Sequence, residues 1–91
     1  MRMPTDLAVN YDSSSDVLYL AVGVPVPADI DEDDDGLLVR FAKGTGTPCG
    51  VTVLGFASHW NESRERLAAL IGNHLHIPLT TVALALKSVK R

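Results

Sequence analysis

The alternation of apolar and polar residues near the start of the chain predicts a β-hairpin. Two apolar, strand-prone runs, residues 7–11 and 17–22, flank a polar centre of aspartates and serines. Asp and Ser side chains hydrogen-bond to the backbone two residues on, which favours a turn between the two strands. Residues 17–24 are apolar at almost every position, as is typical of a strand with both faces covered. Pro25 and Pro27 then end this strand because they lack backbone donors.

Two later segments also have the pattern of strands. In residues 37–42 the apolar side chains alternate with Arg40, and in residues 49–56 Val51 and Val53 face away from Thr52 and Leu54. The glycines of residues 43–46 predict a turn between them. Gly50 and Gly55 indicate a bulge or a close backbone contact. Residues 7–56 therefore predict four antiparallel strands in a meander.

The apolar period changes after the fourth strand. One helical stripe carries five of the next side chains, namely Trp60, Leu67, Leu70, Ile71 and His74. We expect this helix to pack on the sheet, with Ser58 or Asn61 able to cap its start.

The last apolar segment, residues 79–89, fits two secondary structures. Leu79, Val82, Ala83 and Leu86 match a helical stripe, while Val82, Leu84 and Leu86 also match strand alternation. Pro78 favours a helix, because proline is common at the first turn, and a strand stays the alternative. The prediction is an α+β fold in a single domain, residues 1–91. Residues 7–57 form its β-meander core and residues 58–91 a C-terminal helical extension.

Composition narrows the class of protein. The chain has 91 residues, 46% of them hydrophobic, and a net charge of -3, which predicts one globular domain and argues against a nucleic-acid binder. Cys49 is the single cysteine, so an intrachain disulfide is impossible, as is common for proteins of a reducing cytoplasm. The first residues are polar, and no apolar run approaches the roughly 20 residues that cross a bilayer. We expect a cytoplasmic protein with no membrane partner.

An acidic segment, residues 29–35, carries six carboxylates in seven positions and is predicted to be a solvent-exposed loop, because like charges repel. Its spacing resembles the opening of a calcium loop and makes Asp31, Asp33 and Asp35 the candidate metal ligands. The twelfth position of such a loop should be a bidentate glutamate, and here it is Ala42. We therefore predict no metal site and no cofactor.

The remaining chemically active side chains do not assemble a catalytic site in the sequence. Asp12 and Asp16 could serve as paired carboxylates for acid–base chemistry, but their positions beside the hairpin turn explain them as turn residues. No histidine or lysine lies near them in the sequence. His59, His74 and His76 are interpreted as surface or helix-terminal residues. We predict that the protein is not an enzyme.

The hairpin residues resemble a family of small bacterial β-rich domains, Domain of Unknown Function 2283. The resemblance covers residues 7–57 and rests on Tyr11, Asp12, Asp16, Leu18, Tyr19 and Leu20, followed by Gly46, Gly50 and Leu54. Two features depart from the family pattern, since the usually acidic turn is here residues 43–46 and Thr52 replaces a common glutamate. The resemblance implies a β-rich domain without an established activity, and suggests that relatives act as neutralising partners of small toxins.

A further expectation concerns self-association. One short chain cannot easily cover both faces of an apolar sheet and also the last apolar segment, and large apolar patches are rare on monomers. We therefore expect a homodimer, to which residues 79–89 contribute, acting as a protein-interaction module of the antitoxin type with a partner protein of unknown identity. The alternative is a small metal- or ligand-binding domain that uses residues 29–35.

Overall fold

A computed structural model describes residues 7–23 and 26–89 of the chain. These residues form five strands and three helices, which are β1 Leu7–Asp12, β2 Val17–Val22, β3 Ala28–Glu32, β4 Leu38–Ala42, β5 Pro48–Leu54, α1 Phe56–Trp60, α2 Arg64–Leu75 and α3 Leu79–Lys87. The predicted α+β class is confirmed, and so is the helical form of the last segment. The predicted strand end at Val24 and Pro25 lies outside the described residues.

The five strands form one antiparallel sheet in the order β1-β2-β5-β4-β3. The predicted four-stranded meander is therefore wrong in detail, because β5 lies between β2 and β4 at the centre of the sheet. Val51 and Val53 explain this position, since both are fully buried and a central strand gives them neighbours on both sides. Strand β2 is consequently followed by a connection to the far edge of the sheet rather than to its neighbour.

The fifth strand, β3, comes from the acidic segment that was predicted to be a loop. Ala28–Glu32 pairs with β4 along its whole length and has no other strand neighbour. An edge position suits this sequence because its carboxylates stay in water and discourage pairing with a further strand. The expectation of exposure holds for Asp31 and Asp35, whereas Asp33 is half-buried.

Cross-strand pairing separates the two faces of the sheet. One face carries Leu18, Leu20, Val51 and Val53, which are buried under the helices. The opposite face, here called the open face, bears no helix from the described residues, and its side chains include Val17, Tyr19, Ala21, Ile30, Glu32, Leu38, Arg40, Thr52 and Leu54. Strand β2 was predicted to be covered on both faces, but the described residues cover it on one, and Tyr19 is 44% exposed on the other.

The helices and the sheet share a single hydrophobic core. Helix α2 packs on β5 and α3 packs on α2 and β1, and their buried side chains Leu67, Ile71, Val82 and Leu86 join the strand residues in one cluster. The predicted helix from Trp60 onward is divided in two at residues 61–63. The described part of the predicted extension, residues 58–89, therefore contributes to the core.

Two glycines permit close backbone packing in this core. A Cβ at Gly72 would lie 2.8 Å from the carbonyl oxygen of Ile77, so the α2–α3 turn folds directly against the helix. A Cβ at Gly50 would lie 2.8 Å from the carbonyl oxygen of Leu20, and the β4–β5 register shifts beside it, as the sequence predicted. Gly72 lies within α2, which continues to Leu75.

Candidate functional site

The hairpin turn is joined to the first helix by one aspartate. Asp16 adopts a left-handed conformation, with φ of 58°, at the end of the β1–β2 turn. Its carboxylate accepts hydrogen bonds from the Tyr11 hydroxyl at 2.6 Å, the Ala57 N–H at 2.8 Å and the Ser58 N–H at 3.1 Å, and from the Ser58 hydroxyl. Its backbone carbonyl accepts two more bonds, from the N–H groups of Gly55 and Phe56.

Asp16 therefore caps α1 from a distance in sequence. The first N–H groups of a helix have no partner within the helix, and here the N–H groups of residues 55–58 all bind Asp16. Hydrogen bonds from the Tyr11 hydroxyl, the Ala57 N–H and the Ser58 hydroxyl, in that order, hold the pKa of Asp16 well below its usual range. The aspartate is a structural anion and not a proton carrier at neutral pH.

Asp12, the other carboxylate considered for acid–base chemistry, also has a local structural role. It accepts bonds from the Ser14 N–H at 3.1 Å and the Ser14 hydroxyl at 2.7 Å, which form the turn predicted from the sequence. The Ser14 hydroxyl bond lowers the pKa of Asp12. The Tyr-Asp motif of the hairpin is thus explained by folding, since Tyr11, Asp12 and Asp16 all hold the turn.

Asp33 connects the acidic segment to α2. Its carboxylate accepts the N–H groups of Asp35 at 2.9 Å and Leu37 at 2.8 Å through one oxygen, and His74 Nε2–H donates to the other at 2.6 Å. Burial raises the pKa of Asp33, but the bonds from Leu37, His74 and Asp35 outweigh burial and hold it below its ordinary value. The ionised Asp33 requires that His74 carry its hydrogen on Nε2.

The other two candidate metal ligands are an arginine-bound residue, Asp35, and a solvent-exposed residue, Asp31. Asp35 forms an ion pair with Arg66 at 2.8 Å, and the Arg66 guanidinium lies 5.5 Å from the centre of the Trp60 ring. Asp31 is exposed on β3. Within residues 7–23 and 26–89, no group of three His, Cys, Asp or Glu side chains is placed to hold a metal ion. Asp33 and Asp35 each contact a side chain of α2, His74 and Arg66 respectively.

We expect Asp33→Ala to lower the free energy of unfolding by about 2 kcal/mol, because the N–H groups of Asp35 and Leu37 and the His74 side chain lose their acceptor. Asp34→Ala is the matched control, since Asp34 is exposed and makes no side-chain bond with a described residue. Urea denaturation followed by circular dichroism measures both variants. Equal stability of the two variants would contradict the role given to Asp33.

A cavity of about 380 Å³ opens at one end of the open face. Its lining joins the β3–β4 turn to the helices and consists of Asp35, Gly36, Leu54, His59, Trp60, Ser63 and Arg66. Leu54 belongs both to this lining and to the open face, so the two surfaces are continuous. No pattern in the sequence indicated this cavity, because its residues come from the β3–β4 turn, β5, α1, the α1–α2 link and α2.

The open face carries three of the exposed large hydrophobic side chains of the described residues. Tyr19, Leu54 and Ile30 are 44%, 52% and 58% exposed. Thr52 pairs with Tyr19 on one side and Leu38 on the other, and Ile30 pairs with Arg40, so these exposed side chains belong to one continuous surface. Aromatic, aliphatic and arginine side chains on one flat surface are characteristic of the centre of a protein–protein interface.

Arg40 has an unusual environment on this surface. Its aliphatic part lies over Gly50, with Cδ 3.6 Å from the position that a Cβ of Gly50 would take. Its Nε atom is shielded from solvent and has no hydrogen-bond partner among the described residues. The sequence predicted that Arg40 faces away from Val39, but it carried no signal that its nitrogen lacks a partner.

Comparison with protein families, with curated proteins and with solved structures found no match to this chain. The resemblance to Domain of Unknown Function 2283 stays a prediction. No helix in the described part of the chain is long and apolar enough to span a membrane. The assignment of function therefore depends on the geometry of this chain.

Proposed function

We propose that this chain is a non-catalytic protein-interaction domain that forms a homodimer through its open face. The observation that carries this proposal is a five-stranded sheet on which the helices cover one face, while no helix formed by residues 7–23 and 26–89 covers the other. Soluble monomers rarely leave a contiguous apolar patch of this kind in water. A twofold interface buries it by using the same patch on both chains.

The proposal of a non-catalytic role is supported by the use of the carboxylates. Asp12, Asp16 and Asp33 each accept hydrogen bonds that hold turns or helix ends. Their pKa values are lowered, so they stay ionised and are poor proton donors at neutral pH. These side chains stabilise the fold, and we assign recognition to the exposed apolar surface.

Helix α3 offers a second exposed surface that the sequence analysis assigned to the dimer. Leu84 and Leu79 are 67% and 50% exposed on it. Val82 and Leu86, the main apolar residues of the same helix, are buried against their own chain. We therefore assign the dimer contact to the sheet, where Tyr19 and Leu54 lie on adjacent strands, and treat α3 as the competing surface.

A partner protein of a different kind follows from the family resemblance alone. The resemblance suggests a bacterial, cytoplasmic domain that neutralises a small toxin. The cavity beside Leu54 and Trp60 gives such a partner, or a second copy, a place for one anchoring side chain. The alternative of metal binding by residues 29–35 has less support, because both oxygens of Asp33 already accept hydrogen bonds.

The test is the mass of the chain in solution, measured by light scattering after size exclusion at micromolar concentration. We expect twice the 9.8 kDa mass of one chain. Leu54→Glu should produce folded monomers, because it introduces a charge into the proposed contact. Leu84→Glu is the matched control, since it makes the same change at an exposed leucine on α3.

Three results would decide against this assignment. A folded wild-type monomer overturns the homodimer. Monomers from Leu84→Glu, with a dimer retained by Leu54→Glu, move the interface to α3 as the sequence analysis expected. A dimer retained by both variants excludes both surfaces. Circular dichroism of each variant establishes that a change in mass does not come from unfolding.

A further inference from the structure

The charges on the open face are arranged so that the face complements itself. Arg40 is its cation, and Glu32 lies on the same face, because Glu32 pairs with Leu38 while Arg40 pairs with Ile30 on the same two strands. Neither Arg40 nor Glu32 forms an ion pair with a described residue of its own chain. A cation and a carboxylate without an ion pair to a described residue therefore lie on adjacent strands of a face that also carries Asn10, Asp12 and Thr52.

The environment of Arg40 calls for an acceptor from outside the chain. The terminal nitrogens of Arg40 form no ion pair with a described residue, and covering them without an acceptor would be unfavourable. Its Nε also has no hydrogen-bond partner among the described residues, but its own chain already shields this atom from solvent, so a partner reaches the terminal nitrogens instead. These two nitrogens present a planar pair of donors that matches a carboxylate. The ligand that fits them is therefore a carboxylate that arrives with the covering surface.

We propose that Arg40 of each chain binds the carboxylate of Glu32 of the partner subunit across the twofold axis of the homodimer. This inference rests on the proposed function, and it adds the residues that set the orientation of the two sheets. A second copy is favoured over an unrelated protein because the open face itself supplies both the cation and its carboxylate. The ion pair then forms twice in one interface.

Sheet geometry permits this pairing together with apolar contact. Strands lie about 4.8 Å apart, and side chains on one face follow each other at about 7 Å along a strand. On this grid, the axis that exchanges Arg40 and Glu32 passes close to Thr52 and sets Tyr19 opposite Leu54 of the partner subunit. The two sheets then cross at a steep angle, as in orthogonal sheet packing.

Charge exchange tests the proposed pair. We expect Arg40→Glu, and separately Glu32→Arg, to weaken dimerisation by at least about tenfold in Kd, because like charges then meet across the axis. The double variant R40E/E32R should restore the wild-type Kd to within about threefold, since the pair is re-formed with its charges exchanged. Sedimentation equilibrium over a dilution series measures all four proteins.

Lys43→Glu is the matched control for the change in net charge. Lys43 pairs with Asp29 of its own chain at 3.5 Å in a neighbouring turn, so its reversal should leave Kd unchanged. Glu32→Arg is expected to fold normally, because Glu32 is exposed on an edge strand. Weaker dimerisation of this variant is therefore not explained by misfolding. Circular dichroism and a thermal melt accompany each measurement.

The outcomes separate this inference from the proposal on which it rests. A wild-type monomer overturns both. A wild-type dimer that is unaffected by Arg40→Glu, or single-variant losses that the double variant does not recover, overturns the ion pair and leaves the homodimer standing. An equal loss from Lys43→Glu also overturns the pair, because the effect would then come from net charge.

Discussion

Asp16→Asn should lower the melting temperature by roughly 10 °C at neutral pH. Asparagine accepts the left-handed conformation of this position, so the backbone of the turn is kept. The amide retains one oxygen and replaces the other by a donor, which then faces N–H and O–H groups that need an acceptor. The hairpin and α1 lose their main link, and thermal denaturation followed by circular dichroism measures the effect.

The same variant should also change the response to acid. The pKa of Asp16 is lower in the folded chain than its ordinary value of 3.8, so the unfolded chain binds the extra proton as the pH falls. Asp16 therefore stabilises the fold at pH values above 3.8, and this contribution is lost as the pH falls below that value. The wild type should lose more stability between pH 6 and pH 3 than Asp16→Asn does.

Two further variants test whether the loss of stability comes from the hydrogen bonds that Asp16 accepts. Asp12→Asn removes a charge from the same turn, but its carboxylate reaches only serines of that turn, so a smaller loss is expected. Tyr11→Phe removes one donor to Asp16 and keeps the ring. If Asp12→Asn destabilises the chain as much as Asp16→Asn, the helix-capping role of Asp16 is wrong.

Phe56→Ala should lower the free energy of unfolding by about 3–5 kcal/mol, because a fully buried ring is replaced by a cavity. The Phe56 ring meets the Tyr11 ring edge-on, with centres 5.5 Å apart, and the Arg64 guanidinium lies 4.8 Å from its centre. The ring thus joins the hairpin to the start of α2. For a domain of this size the loss is a large part of the total stability. Urea unfolding gives the value.

Phe56→Leu is the control for this prediction. Leucine fills most of the space and should cost only about 1 kcal/mol beyond the lost ring contacts. A small loss from Phe56→Ala, similar to that of Phe56→Leu, would show that the ring does not connect the hairpin to the helices. An aggregated Phe56→Ala variant would be measured again at low protein concentration, where unfolding is reversible.

The sequence by itself determined the local elements of this protein. The Asp–Ser turn between residues 7–11 and 17–22 was predictable because turn-forming side chains act over two residues. The alternation around Arg40 and Thr52 predicted which side chains share a face, because the side-chain period of a strand is two. Pro78 favoured the helical form of the last segment for an equally local reason.

Only the tertiary structure decided how these elements meet. The insertion of β5 beside β2, the pairing of the acidic residues as β3 and the division of the helix at residues 61–63 depend on contacts between distant segments. Asp16 was identified as a turn residue, but its bonds to Ala57 and Ser58 span more than forty residues of sequence.

For the candidate surface, the sequence predicted only that the chain has more apolar residues than it can bury. The position of the exposed ones depends on which face of the sheet the helices occupy. Helices α2 and α3 bury Leu18, Leu20, Val51 and Val53. Tyr19 and Leu54 are thereby left exposed on the same face as Arg40, whose Nε has no hydrogen-bond partner among the described residues. Local patterns determine the faces of a strand, but only packing between distant segments decides which face meets water.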